Sequence, residues 1–117
     1  MLTVHRLLAF LVIAVSISAA LLAFLARWRS GTAGRGVAHV LALAQTLVVA
    51  EAAFGLLLLV DDRHAAQGVH YMYGSLAVLA VAWPFFYAPP EPRRRLLWFA
   101  GATLTAAVLG IRAYMTA

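Results

Sequence analysis

Residues Val37–Val60 read VAHVLALAQTLVVAEAAFGLLLLV, a run in which His39, Gln45, Thr46 and Glu51 alone break a succession of apolar and small side chains. A helix crossing the hydrocarbon of a bilayer needs about 20 predominantly apolar residues, and this run meets that length without an internal turn signal. Three further runs of the same kind, Thr3–Ala26, Val69–Tyr87 and Leu96–Tyr114, fill most of the remaining chain. Short connections between spans favour antiparallel neighbours. The expected fold class is therefore all-α, an integral membrane up-down four-helix bundle forming one four-span domain over residues 1–117.

Composition agrees. The chain is 65% hydrophobic and 11% charged, where an ordinary soluble domain is about 25% charged. The connections Arg27–Gly36 and Asp61–Gly68 are too short to enclose cores of their own, which leaves no place for an extramembrane catalytic module. There is no Ser-His-Asp set, no phosphate-cradling glycine loop and no zinc-protease helix pattern, so an independent enzyme is not expected. The absence of cysteine excludes disulfides, thiolate metal sites, iron–sulfur clusters and haem attached through Cys-x-x-Cys-His. A cofactor must be held by histidine, methionine, tyrosine or carboxylate.

The net charge of +5 comes from arginine without lysine. In a membrane chain such an excess reports topology, and nucleic acid is not an expected partner. Arg27, Arg29 and Arg35 lie in the first connection and Arg93, Arg94 and Arg95 in the third, whereas the second sets Arg63 against Asp61 and Asp62. The positive-inside rule then places the first and third connections in the cytoplasm and both termini outside it, in a plasma membrane of bacterial type. Trp28, Trp83, Tyr87 and Trp98 gather at the same cytoplasmic boundary, as an aromatic belt does. Met1–Ala20 has a superficial likeness to a signal peptide, but apolar sequence continues through Leu25, beyond the roughly 7–15 residues of a signal h-region. It is read as a retained first span. The run Ala88-Pro89-Pro90-Glu91-Pro92 makes a stiff turn, and Pro84 kinks the third span or marks its last turn.

Ionisable groups inside a bilayer are expensive and mark function. His5 and His70 stand near the outer starts of spans one and three, which run in the same direction and so bring both imidazoles to a similar depth. A bundle holds one metal, or one haem iron, in that way. Ala9 and Gly74, each four residues on and so on the same helix face, leave a slot beside the imidazoles that a flat macrocycle requires. The same small residues also suit plain helix–helix packing. Arg6 and Arg112, with Arg63 in the outer connection, are placed to meet propionates by charge-assisted hydrogen bonds. His64 is expected to be solvated, and His39 lies at the opposite end. Met72 and Met115 are conceivable axial ligands, and Tyr71 and Tyr73 flank the site. Glu51 is the deepest acid. It is expected to be neutral, paired with Arg112, facing a polar pocket, or hydrogen-bonded through Thr103 or Thr105, and it is a candidate proton or polar contact along with Gln45.

The start Val4-His5-Arg6-Leu7-Leu8-Ala9 resembles the His-Arg-Leu helix start of the haem A synthase family. Ala44-Gln45-Thr46-Leu47-Val48-Val49 is similar to that family's following helix, and Val69-His70 falls where its next outer histidine stands. That family is built of two such bundles, and this chain resembles one of them over roughly residues 4–80. The resemblance implies that paired histidines on alternate helices ligate haem b. The acidic residue and tyrosine that precede the family's His-Arg pair have no counterpart before His5, so synthase chemistry is not expected. His70-Tyr71-Met72-Tyr73-Gly74 also resembles a helix start in small bacterial four-span membrane proteins, a likeness that implies no function. The expectation is a membrane-embedded b-type haem protein for electron transfer, haem handling or redox sensing. The alternative is a cofactor-free accessory subunit of a larger membrane complex, respiratory or similar. Lipid and either a larger complex or further copies of the chain are the expected partners; a transporter component would demand such copies.

Overall fold

The structure is a computed structural model that describes residues 2–62 and 64–117. It contains four helices: α1 (Leu2–Arg29), α2 (Gly34–Val60), α3 (Val69–Tyr87) and α4 (Pro92–Thr116). All four are long and apolar enough to cross a membrane. The bundle measures 47 × 24 × 19 Å, its long axis matching the about 40–45 Å of a bilayer with its headgroups.

The helices outrun the apolar stretches because their ends are built from polar groups. At the end of α1 the N–H groups of Ser30 and Gly31 both donate to Ala26 O, at 2.9 and 3.0 Å, and Gly31 takes φ +77. That left-handed cap is a natural place for glycine, and it carries α1 through Arg27 and Arg29. At the other joint Glu91 caps α4. Its Oε1 accepts from Arg93 N–H at 3.1 Å and its Oε2 from Arg94 N–H at 2.8 Å. Pro92 follows at the first helical position, where its missing N–H costs nothing, so Arg93–Arg95 belong to α4 and not to a loop. Pro84 lies in the last turn of α3, and Ala88 N–H still reaches its carbonyl at 3.0 Å.

Packing is antiparallel between chain neighbours, and α4 also lies against α1. Helices α1 and α3 face each other across one diagonal, and the α2–α3 seam is the thinnest of the four. One buried cluster joins Ala19, Ala23, Leu41, Ala44, Leu96 and Ala100; a second joins Val12, Val48, Ala77, Val81 and Ala106. Alanine dominates because small residues let helix backbones approach where the surroundings are as apolar as the core. The large apolar side chains point outward instead, with Leu21, Leu56 and Phe86 63%, 63% and 79% exposed. An apolar exterior around a small-residue interior is the packing a bilayer rewards and water penalises.

The connection after α2 is tied down at three points. Tyr71 Oη accepts from Ala65 N–H at 2.9 Å. Gln67 N–H donates to Thr116 O at 3.2 Å, and Asp61 N–H continues α2 to Leu57 O at 3.0 Å. Among the described residues, Ala65 and Gln67 thus tie this connection to α3 and α4, and the helix ends here form a platform.

Candidate functional site

Four helices deliver side chains or backbone to one cluster at that platform. His5 sits in the first turn of α1, Glu51 and Gly55 one turn apart on the same face of α2, His70 at the start of α3, and Ala113 near the end of α4. The His5 and His70 rings meet across the α1–α3 diagonal with centroids 6.1 Å apart and planes at 81°. The two histidines that the sequence singled out are thus brought side by side at one end of the bundle.

Each imidazole turns its Nδ1 to an oxygen. His70 Nδ1 lies 2.6 Å from Ala113 O. A carbonyl only accepts, so Nδ1 carries the proton and the lone pair of the neutral ring is left on Nε2. Ala113 O is available because the last carbonyls of a helix have no partner within it. His5 Nδ1 lies 2.7 Å from Glu51 Oε1, with both side chains about six-sevenths buried (14% and 15% exposed). The contact is close but not aligned as a hydrogen bond, and both atoms are sealed from solvent. Histidines that bind metals characteristically hold their second nitrogen against a carboxylate or backbone carbonyl, which fixes tautomer and ring orientation. One histidine here has the carboxylate and the other the carbonyl.

The His5 ring is seated on Gly55. A Cβ at that position would stand 3.2 Å from His5 Cε1 and 3.8 Å from its Nε2. Beside His70, Gly74 opens on free space, with nothing within 4 Å of where its Cβ would lie, and Ala9 is half-buried one turn below His5. Arg6 is exposed on the turn that carries His5. Arg112 lies against Tyr73, its guanidinium carbon 5.6 Å from the ring centroid and its Nη2 3.5 Å from the hydroxyl.

Other expectations separate from the cluster. Glu51 meets His5 and not Arg112, and the Thr105 hydroxyl turns to Gly101 O of its own helix at 2.8 Å. Gln45 lies toward the opposite end, in a groove beside Arg95. His39 is exposed in the first turns of α2. His64 is solvated, with Nε2 3.3 Å from Asp62 Oδ1. Met72 and Met115 are 49% and 62% exposed. Arg63, expected near the propionates, lies outside the described residues. Among the described residues no three His, Cys, Asp or Glu side chains converge as a metal-binding group.

The sequence reading missed Gly55 and the Ala113 carbonyl. Gly55 carried a signal, since it stands four residues after Glu51 and therefore on its face. The carbonyl carried none. No family model, curated protein or solved structure matches the chain, so a functional assignment rests on this geometry.

Proposed function

We propose that the chain is a multi-pass integral membrane protein that holds one b-type haem between His5 and His70 for electron transfer, haem handling or redox sensing. The observation that carries this reading is the diagonal imidazole pair, 6.1 Å between ring centroids, with both Nδ1 atoms turned to oxygen. His5 and His70 would hold the haem, since that group would need no more than two donor side chains from the chain. Bound haem supplies one-electron chemistry, and the protein tunes it through ligand identity, burial and hydrogen bonds.

The residues of this chain have definable tasks. Glu51 and the Ala113 carbonyl orient the two rings and make their free nitrogens better donors. Gly55 gives the His5 ring its seat, and Gly74 and Ala9 leave room beside the pair. Arg6 and Arg112 offer cationic groups to carboxylates at the water boundary. The arginines at the helix ends of the far side support a cytoplasmic position for that end by the positive-inside rule, and in this reading the histidine site and both termini face outward across a bacterial-type plasma membrane.

One observation favours a second reading. His5 and Glu51 already lie against each other, and such a polar clasp also serves a cofactor-free accessory subunit of a larger membrane complex. Purification from haem-replete cells separates the two. The haem reading expects about one haem per chain, with His5→Ala and His70→Ala each abolishing the Soret band while the helical circular dichroism is kept. A colourless wild-type protein that takes up no added haemin refutes it, and co-purification with defined larger partners then establishes the subunit reading.

A further inference from the structure

The opposite end of the bundle carries a second site, independent of haem and resting only on the chain's residence in a membrane. A groove of ≈ 390 Å³ runs between the start of α2, the end of α3 and the start of α4. That volume is within the about 300–1,000 Å³ of small-molecule sites. Its wall is apolar, formed by Leu41, Phe85, Leu96 and Phe99, with Gln45 within it and Arg95 at its headgroup end. The groove opens on the flank of the bundle, where Phe85 is 57% exposed. The Arg95 guanidinium lies over the Phe99 ring at 5.2 Å, and Phe85 meets Phe99 edge to face at 5.0 Å. The floor thus leads directly to a fixed cation.

Charge at this end is one-sided. Gly31 lies on the aliphatic part of Arg93, whose carbons are 3.6 Å from where a Gly31 Cβ would be. This contact joins the end of α1, with Arg27 and Arg29, to the start of α4, with Arg93–Arg95, and Arg35 lies in the first turn of α2. The nearest acid in sequence, Glu91, has both carboxylate oxygens engaged by the backbone N–H groups of Arg93 and Arg94. None of these six arginines forms an ion pair among the described residues. Arg27 Nε is moreover buried without a hydrogen-bond partner.

We propose that this groove binds an anionic phospholipid, with an acyl chain along Leu41, Phe85, Leu96 and Phe99 and the phosphate at Arg95 and its neighbouring arginines. Charge complementarity selects the occupant. A zwitterionic lipid brings an ammonium into the arginine cluster, whereas an anionic lipid brings only negative charge, and basic pockets between transmembrane helices are suited to such headgroups. Arginine forms paired hydrogen bonds to phosphate oxygens that lysine does not reproduce.

The test titrates phosphatidylglycerol into the delipidated full chain in neutral detergent and follows the thermal midpoint. Phosphatidylcholine and inorganic phosphate serve as separate arms. Phosphatidylglycerol is expected to raise the midpoint saturably, while the other two leave it unchanged. Arg95→Gln is expected to weaken the apparent affinity roughly tenfold, one charge-assisted contact being lost. Ala42→Phe, which fills the groove without changing charge, is expected to abolish the shift. Equal stabilisation by phosphatidylcholine overturns the proposal, as does full reproduction of the shift by inorganic phosphate. An unchanged response in both variants overturns it too. Loss of haem in the same preparations bears only on the histidine site.

Discussion

Replacing Gly55 by alanine tests the seat of His5 directly. The new Cβ would stand 3.2 Å from His5 Cε1, whereas carbon atoms settle about 3.5–4.0 Å apart. The ring must therefore retreat by some tenths of an ångström. It has little freedom to do so, because Nδ1 already lies 2.7 Å from Glu51 Oε1. Overpacking of this kind costs about 1–3 kcal/mol, and alanine returns about 0.8–1.0 kcal/mol of helix propensity over glycine. The net destabilisation is then about 0–2 kcal/mol. Gly101→Ala supplies the matched control, since nothing lies within 4 Å of its Cβ position and only the propensity gain remains. Thermal unfolding in detergent, followed by tryptophan fluorescence, should place Gly55→Ala below Gly101→Ala by about 1–3 kcal/mol. Gly55→Leu, which drives a full side chain into the imidazole, should lose haem altogether. If Gly55→Ala proves as stable as Gly101→Ala, and Gly55→Leu retains wild-type haem, His5 does not sit on α2 as described.

Glu51→Gln keeps the shape of the acid but removes its charge, and should weaken haemin affinity about 10–100-fold, the range for loss of a ligand-orienting partner; unchanged affinity in a haemin titration removes Glu51 from the site. Glu91 has its carboxyl held below the usual carboxylate range, first by the Arg94 and then by the Arg93 backbone N–H. A group whose pKa is depressed by folding stabilises above its unfolded value and loses that contribution as pH falls through the folded one. The Arg93 and Arg94 amides should therefore lose hydrogen-exchange protection as pH falls below the ordinary carboxylate range, and in Glu91→Gln that pH dependence should vanish. Tyr71→Phe removes the acceptor for Ala65 N–H; exchange at Ala65 should rise while the global unfolding free energy stays within about 0.5 kcal/mol of wild type.

Much of the frame was legible because span length and side-chain polarity speak directly to a bilayer. The apolar runs located four helices, and Pro84 and the Pro-rich turn located their breaks. Both ends of α3 and the end of α2 stand where the apolar runs stop, whereas α4 begins four residues earlier, since Glu91 capping and Pro92 at the first position continue it outward through three arginines. The His5–His70 pairing followed from α1 and α3 running in the same direction. The partner of Glu51 did not. Rotation of each helix about its axis decides which face meets which neighbour, and helices apolar on every side carry little record of it. His5 as that partner was therefore invisible, as was the role of Gly55. The Ala113 carbonyl has no side-chain signature at all, and the groove beside Arg95 exists only once α2, α3 and α4 converge.

The electron paramagnetic resonance spectrum of the ferric protein, purified with its native haem, tests the diagonal pair most directly. Two histidines with planes at 81° should give a low-spin, strongly anisotropic signal from near-perpendicular imidazoles, lost in either histidine variant. A high-spin wild-type signal, or a protein that holds no haem under any condition, contradicts ligation by His5 and His70.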